Sequence, residues 1–312
     1  MKIGIMRGRE NSFPNALIEK INGMKAGVTA EFVMMGGTSL SEPCPYRVIL
    51  DRISHEVPYY QVYLKQASLQ GTYVVNNPFW VHQDDKFFGY SLAQKLGIPV
   101  PKTVVLPNFE HVKDITPESL RNMWPIDWDA RLKEIGLPCY MKPAFGGGWK
   151  SVQKVKTKEE AIAFYEQSGQ LTMMLQENIA WDDYIRCLCI GRKYTRPIRY
   201  NPKPFAQGEY VQDLGVLDKK QAKQAEEFSI LFNEAIGYDT NAMEFAVKGG
   251  VLYAIDITNH ACDMDIKSLR EAHFPWTVEH VAKFLVDTAK SGARNMPTSA
   301  WDKYKDKVTV KG

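Results

Sequence analysis

The sequence predicts a mixed α/β and α+β protein, with an N-terminal open parallel α/β lobe followed by two α+β lobes. Three features of the chain lead to this prediction. Strand-like and helix-like segments alternate in the first quarter of the chain, a glycine-rich hairpin joins two strands near the middle, and an acidic hairpin lies near the C-terminus. Alternation is typical of a parallel sheet covered by helices, whereas hairpins join antiparallel strands. The expected lobes span residues 1–83, 84–176 and 177–312.

The size and charge of the chain favour a small-molecule site. Its 312 residues are enough for two or three lobes, since domains run to roughly 100 to 200 residues each. The 39 basic and 36 acidic residues leave a net charge of only +3, without a long block of one sign. Nucleic acids and membrane surfaces are recognised by concentrated positive charge, so neither is expected as a partner.

The composition also indicates a cytoplasmic protein. No apolar run approaches the roughly 20 residues of a membrane span, and the chain opens on a strand-like segment instead of a signal peptide. The five cysteines are odd in number, lie mostly in apolar segments and form no Cys-x-x-Cys pair. This pattern predicts reduced thiols in the core, in preference to disulfides or a zinc site.

The first lobe is predicted from its order of elements. We expect four strands and two helices, the helices being ended by Gly23 and Gly71: strand 2–6, helix 14–22, strands 30–35 and 47–50, helix 58–70 and strand 72–76. This β-α-β-β-α-β order predicts an open, mostly parallel sheet, in which ligands bind beyond the carboxyl ends of the strands.

Arginines follow two of these strands. Arg7 and Arg9 come after the first strand, and Arg52 comes after the third. Arginine is favoured wherever a carboxylate is held by two hydrogen bonds, so these residues are predicted to bind an anionic substrate. His260, in a polar loop near the C-terminus, is a further substrate candidate. That loop mixes hard and soft ligands, which disfavours a transition-metal site and leaves substrate contact or plain surface polarity.

The middle lobe is predicted to hold a helix from Asp85 to Leu96, an extended connector with two prolines, and then a small α+β unit. In that unit a short helix at 130–135 leads into a strand that ends at Lys142, and Thr157 opens a capping box for a helix that ends at Gln167. Strands at 104–106 and 171–175 complete the lobe.

The glycine-rich hairpin follows Lys142 and contains Gly146, Gly147, Gly148 and Lys150. Glycine lets the backbone approach a ligand closely, and a strand-end lysine presents an ammonium, so the segment is suited to a polyphosphate. It fits neither a P-loop nor a dinucleotide fingerprint, because both need a helix opening at the glycines. A purely structural hairpin remains the alternative.

The third lobe is predicted to hold a strand at 184–190, a helix at 219–236 and a hairpin of strands 243–247 and 251–257. The glycine turn of this hairpin should place Glu244 and Asp256 near each other. Asn259 follows closely. Two carboxylates and an amide form a hard-oxygen site of the kind that magnesium prefers.

In this order, the features resemble the ATP-grasp superfamily, in the branch of ribosomal-protein glutamate ligases, glutathione synthetase-like ligases and inositol polyphosphate kinases. The resemblance covers nearly the whole chain. It implies an ATP-grasp fold in which two α+β lobes clasp ATP, and it implies an ATP-dependent carboxylate–amine ligase. Such an enzyme forms an amide or peptide bond through an acyl phosphate, gives ADP and phosphate, and uses magnesium.

The resemblance also implies roles for individual residues. Lys86 and Lys142 would contact the phosphates beneath a lid of residues 146–150, and Asp183 would bind the ribose. Arg186 and Arg199 would steady the transferred phosphate. The remaining implied residues are the adenine hinge and the magnesium ligands: Gln176, Glu177, Asn178 and Ile179, and Glu244, Asp256 and Asn259.

Two departures from the family pattern leave alternatives open. The usual Glu-x-Asn ending is replaced here by Asp256-Ile257-Thr258-Asn259, so either Thr258 or Asn259 fills the last ligand position, and Met243 stands where many relatives have arginine. A small-molecule kinase and a weakly catalytic nucleotide-binding protein are therefore the alternative functions. The expected partners are a small-molecule or peptide carboxylate and an amine, and a homodimer is left open.

Overall fold

The computed structural model describes residues 1–81, 85–203 and 209–295. The expected boundary between the first two lobes, at residues 83 and 84, and the expected end of the third lobe, at residues 296–312, lie outside the described residues. The first lobe contains a four-stranded sheet of order β2-β1-β3-β4, and every neighbouring pair is parallel, as predicted. Its elements are β1 (Lys2–Met6), α1 (Ser12–Gly23), β2 (Thr29–Phe32), β3 (Val48–Asp51), α2 (Pro58–Leu69) and β4 (Tyr73–Val75).

The middle lobe contains a four-stranded antiparallel sheet of order β5-β8-β6-β7. Thr157 caps the helix that follows it, as predicted, because its side chain accepts a hydrogen bond from the backbone N–H of Glu160 at 3.2 Å. The elements are α3 (Lys86–Lys95), β5 (Thr103–Val105), a 3₁₀ helix (Pro117–Leu120), α4 (Trp128–Ile135), β6 (Cys139–Pro143), β7 (Gln153–Val155), α5 (Lys158–Glu166) and β8 (Met173–Glu177).

The third lobe contains a five-stranded antiparallel sheet of order β11-β10-β9-β12-β13. The predicted helix α6 has the predicted bounds, and a long helix, α7, follows the sheet. The elements are β9 (Asp183–Ile190), β10 (Tyr194–Asn201), β11 (Glu209–Tyr210), α6 (Lys219–Ile236), β12 (Thr240–Lys248), β13 (Val251–Asp256) and α7 (Ile266–Ser291).

The two faces of the third sheet pack against different partners. Ile185, Cys187 and Phe245 share a buried cluster with Phe232 of α6. Leu188, on the other face, belongs to a cluster that includes residues of α7 and of the first lobe. Because side chains alternate along a strand, odd and even positions of β9 have different surroundings.

The cysteines and the polarity of the helices bear on the environment of the chain. All five cysteines are free thiols, and four of them are buried, as predicted. Over the described residues, the helices are too short or too polar to cross a bilayer.

Candidate active site

A central cavity of about 380 Å³ lies between the middle sheet and the even-numbered face of β9. Strands β6, β8, β9, β12 and β13 all contribute to its lining. It brings together most of the residues that the sequence predicted for ATP, magnesium and phosphate: Lys86, Lys142, Gly146, Gly147, Gly148, Lys150, Gln176, Glu177, Ile179, Arg186, Glu244, Asp256 and Asn259.

The acidic hairpin forms one wall of this cavity. The register of β12 and β13 pairs Glu244 with Asp256, with an irregularity just after Glu244, so the two carboxylates oppose each other as predicted. Asn259 lines the cavity, whereas the Thr258 side chain packs beside Gly89 of α3. The geometry therefore favours Asn259 over Thr258 as the third oxygen donor. No group of three or more His, Cys, Asp or Glu gathers as a metal site within the described residues.

The two carboxylates have different electrostatic surroundings. Burial raises the pKa of Glu244, and the nearby Arg186 guanidinium only partly offsets this. Glu244 is held by Arg186, with 3.0 Å between Nη1 and Oε1, and by the Tyr184 hydroxyl, which donates at 2.8 Å. Burial also acts to raise the pKa of Asp256, but the Lys86 ammonium outweighs it and holds that pKa below its usual value. Asp256 therefore stays ionised.

Both predicted lysines reach the floor of the cavity. Lys86 lies at the start of α3 and forms an ion pair with Asp256, with 2.8 Å between Nζ and Oδ1. Lys142 lies near the end of β6 and donates a hydrogen bond to the Tyr90 hydroxyl at 2.8 Å. Two ammonium groups in the same cavity provide the positive charge that binds a polyphosphate.

The glycine-rich segment between β6 and β7 lines the same cavity as the two lysines. Gly146 and Gly148 have φ values of 94° and 68°, a region that glycine enters without steric cost. The loop is exposed from Gly146 to Gly148, and no described atom lies within 4 Å of the place where a Cβ would stand on any of the three glycines. The segment therefore presents bare backbone to the cavity.

The adenine hinge was predicted at residues 176–179, at and just beyond the end of β8. Gln176 donates to the Thr103 hydroxyl at 3.0 Å, and the Glu177 carboxylate accepts from the Lys102 N–H at 3.2 Å. These bonds fix the strand end against β5. Gln176, Glu177 and Ile179 line the cavity, but Asn178 does not.

The predicted phosphate arginines have different locations. Arg186 is buried and lines the cavity, with its guanidinium 5.1 Å from the ring centroid of Tyr200 and 5.5 Å from that of Tyr210. Its Nε is buried without a hydrogen-bond partner in the part of the chain that the structure describes. Such an atom is suited to an incoming anionic group.

Arg199 and Asp183 are not brought into the cavity. They form an ion pair with each other, with 2.9 Å between Arg199 Nε and Asp183 Oδ1. Both are odd-numbered positions of β9 and β10, so they lie on the other face of the sheet from Arg186. Their predicted contacts with phosphate and ribose gain no support from this placement.

A second cavity, of about 360 Å³, opens between the first lobe and the loop after β13. Arg9 and Arg52 line it, but each is already paired with a glutamate. Arg52 is buried and makes two hydrogen bonds to Glu10, at 3.0 Å and 2.6 Å. Arg9 is exposed and forms an ion pair with Glu56, with 2.8 Å between Nη2 and Oε2. The two cavities share one lining residue, Asp263.

The other two predicted substrate residues line neither cavity. Arg7 lies over the Phe32 ring, at 4.8 Å from its centroid. The His260 ring makes edge contacts with the rings of His55 and Tyr238, with centroid distances of 5.3 Å and 6.0 Å. Substrate binding by all four residues stays a prediction.

Sequence reasoning missed an aromatic and acidic part of the lining. Alternation along β9 was sufficient to place Tyr184 beside Arg186, but β10 and β11 were not foreseen. Asp263 was considered only as part of a polar loop. The missed residues are Trp149, Trp181, Tyr184, Tyr200, Tyr210 and Asp263.

Comparison with known proteins gives a fold-level result. No family model and no curated protein matches the chain. Among solved structures, the chain is similar to a RimK-domain ATP-grasp protein from Sphaerobacter thermophilus, with 19% identity and a TM-score of 0.64 over 92% of this chain and 100% of that one. It is also similar to D-alanine–D-alanine ligase from Bacillus anthracis, with 16% identity and a TM-score of 0.63 over 94% and 100%.

A third similar structure is the ATP-grasp ligase PsnB in complex with a minimal precursor, magnesium and ADP. It has 14% identity and a TM-score of 0.59 over 92% of this chain and 98% of that one. At these identities the similarity establishes the fold alone. The chain has an ATP-grasp fold, and the resemblance inferred from its motifs is confirmed at that level.

Proposed function

We propose that the protein is an ATP-dependent carboxylate–amine ligase, which forms an amide or peptide bond through an acyl phosphate and gives ADP and phosphate. The observation that carries this proposal is the content of the central cavity, which combines two lysines, a glycine-rich lid, a buried arginine and an acid pair. Among the similar structures are a ligase complexed with ATP and another with magnesium and ADP.

The phosphates of ATP would lie between the lysines and the lid. Lys86 and Lys142 neutralise negative charge, while the backbone of Gly146 to Gly148 approaches closely from above. The adenine would lie against the hinge at Glu177 and Ile179. Little covalent chemistry is required of the protein in phosphoryl transfer, so positioning and charge neutralisation provide most of the catalysis.

The donor set of the acidic hairpin fits magnesium. Glu244 and Asp256 provide carboxylate oxygens and Asn259 provides an amide oxygen, which suits a cation that commonly takes one or two carboxylates and completes its shell with water and phosphate. Magnesium bound there supplies positive charge to the phosphate oxygens. The low pKa of Asp256 keeps that carboxylate in the state that binds a cation.

Arg186 is the residue we assign to the transferred phosphoryl group. Its guanidinium lies against the Tyr200 and Tyr210 rings, and its Nη1 is held by Glu244. The unpartnered Nε can donate to a phosphate oxygen without first breaking a bond within the described part of the protein. A fixed donor of this kind stabilises charge without reorganisation during the reaction.

A substrate screen tests the proposal. The purified protein is incubated with MgATP and a panel of amino acids, peptides and small organic acids, and ADP, phosphate and products are measured. A ligase releases phosphate only when an acid and an amine are both present, and it forms an amide. Transfer of phosphate to a stable product without an amine would instead identify a small-molecule kinase. Absence of turnover with retained ATP affinity would identify a nucleotide-binding protein.

A further inference from the structure

Asp263 lies at the junction of the two cavities. Its carboxylate is fixed in place, because Oδ1 accepts the Asp265 N–H at 2.9 Å and Oδ2 accepts the Ser268 hydroxyl. A molecule bound in the second cavity would reach the central cavity, where ATP is proposed to bind and which is called the ATP cavity below, at this carboxylate. The negative charge disfavours an acid at this point and favours a cation or an N–H donor.

Tyr210 provides the second observation. Its side chain lines the ATP cavity and is only 3% exposed. Its hydroxyl has no hydrogen-bond partner among the described residues. Buried hydroxyls are almost always hydrogen-bonded in native proteins, so a partner that arrives with a ligand explains its position.

The Tyr210 hydroxyl and the Asp263 carboxylate belong to the same electrostatic cluster. Burial raises the pKa of Tyr210, Arg186 opposes that effect, and the Asp263 carboxylate adds to it. The hydroxyl therefore stays protonated, and its oxygen keeps its lone pairs available to an N–H group.

The second cavity offers little free positive charge from its arginines. Arg9 and Arg52, which would otherwise attract a carboxylate, are paired with Glu56 and Glu10. Lys86, Lys142 and Arg186, by contrast, line the central cavity. Lys267 lines the second cavity, where it is accompanied by four carboxylates: Glu10, Glu56, Asp263 and Asp265. Charge therefore separates the two halves of the reaction: anions on the ATP side and the amine on the Asp263 side.

We infer that Asp263 and Tyr210 form the subsite that binds and orients the amino group of the nucleophilic substrate. The inference rests on the proposed ligase function and deepens it. Asp263 accepts an N–H of the ammonium or amine, and the Tyr210 oxygen accepts a second one. The nitrogen is thereby held at the edge of the ATP cavity, where the activated acid would be formed.

Two variants and two matched controls test this subsite. Asp263→Asn removes the charge and Tyr210→Phe removes the hydroxyl. Tyr194→Phe is the control for Tyr210→Phe, because the Tyr194 hydroxyl is also buried without a partner among the described residues, but lies outside both cavities. Asp218→Asn is the control for Asp263→Asn, because Asp218 also accepts backbone N–H groups, at the start of α6.

Each protein is assayed with MgATP and the amino acids of the panel, which carry both an acid and an amine, and then with hydroxylamine as a small nucleophile that is uncharged at neutral pH. We expect Asp263→Asn and Tyr210→Phe to raise the KM for the amine by about tenfold or more. Hydroxamate formation from hydroxylamine and the Kd for ATP should stay within about twofold of the wild type, and both controls should behave as the wild type.

Unchanged amine KM in both variants would overturn the inference while leaving the proposed function intact. A parallel fall in hydroxamate formation would also overturn it, because the residues would then act on the acid or the phosphate. If the wild-type protein releases ADP with no amine and forms no hydroxamate, the proposed function itself fails, and the subsite falls with it.

Discussion

Arg186 and Arg199 show how the position along a strand decides the surroundings of a side chain. Both were predicted to contact phosphate, yet Arg186 faces the cavity and Arg199 pairs with Asp183 on the other face. The sequence identifies an arginine near a carboxylate hairpin, but the register of β9, β10 and β12 decides which face it occupies. That register depends on the whole sheet, so it could not be derived from the local sequence.

Lys142→Ala tests whether the Lys142 ammonium contacts the phosphates of ATP. The variant should weaken ATP binding by about 10- to 100-fold, because an ammonium contact to phosphate contributes about 1.5 to 3 kcal/mol. Its stability should change little. Calorimetric titration with ATP provides the measurement, and Lys223→Ala, on the exposed surface of α6, is the control. An unchanged Kd in folded Lys142→Ala protein would remove the lysine from the phosphate site.

Asp256→Asn tests the metal site. The variant should lose turnover and most of the dependence of ATP affinity on added magnesium, because it removes a charged oxygen donor. Its melting temperature without nucleotide should change little, since losing the Lys86 ion pair is offset by relief of repulsion with Glu244. Titrations of ATP with and without magnesium provide the readout. Wild-type magnesium dependence in this variant would place the metal elsewhere.

Elements with a clear pattern were predictable, and those without one were not. The apolar stripe and the cap of α6 gave its observed bounds, Lys219–Ile236. The adjoining strand β10 carries Pro197 among charged residues, a composition typical of loops or edge strands. Helix α7 contains Pro275 and is kinked at Arg270, where φ is 49°. The proline and the kink both interrupt the regular spacing of apolar residues by which a helix is predicted from sequence.

Gly146→Ala tests whether the conformation of the glycine-rich loop contributes to ATP binding. Gly146 has a φ of 94°, so a Cβ there disfavours the observed loop by about 1 to 2 kcal/mol. ATP affinity should fall by up to about tenfold while the melting temperature is unchanged, because the loop is exposed. Gly250→Ala, in the β12–β13 turn with a φ of 81°, is the matched control and should leave ATP affinity unchanged. Equal effects on ATP affinity in both variants would contradict a specific role for the lid.

At the scale of the whole molecule, buried polar contacts join the first lobe to the third. The Arg52 guanidinium binds Glu10 and also donates to the carbonyl of Cys262, beyond the acidic hairpin. The Asn76 side chain binds the backbone of Asp239 and Thr240. The sequence predicted the lobes and the order of their motifs, but such contacts between distant segments depend on the assembled fold. Arg52 was for this reason predicted only as a substrate ligand.

Arg52→Ala tests the contact between the lobes. Removing one partner of a buried ion pair leaves Glu10 uncompensated, so we expect a loss of about 3 to 5 kcal/mol in the free energy of unfolding. Arg9→Ala removes an exposed ion pair of the same lobe and should cost less than about 1 kcal/mol. Denaturant titrations of both variants compare the two. Equal, small losses would show that Arg52 does not hold the lobes together and would favour its predicted role in substrate binding.

We propose that the central cavity activates a carboxylate by phosphorylation before an amine attacks it. The most direct measurement uses an acid substrate whose carboxylate carries a heavy-oxygen label, incubated with MgATP and the amine, followed by mass analysis of the phosphate released. An acyl phosphate transfers one labelled oxygen from the acid to phosphate, so we expect labelled phosphate in equal amount to the amide. Unlabelled phosphate, or a stable phosphorylated product, would contradict it.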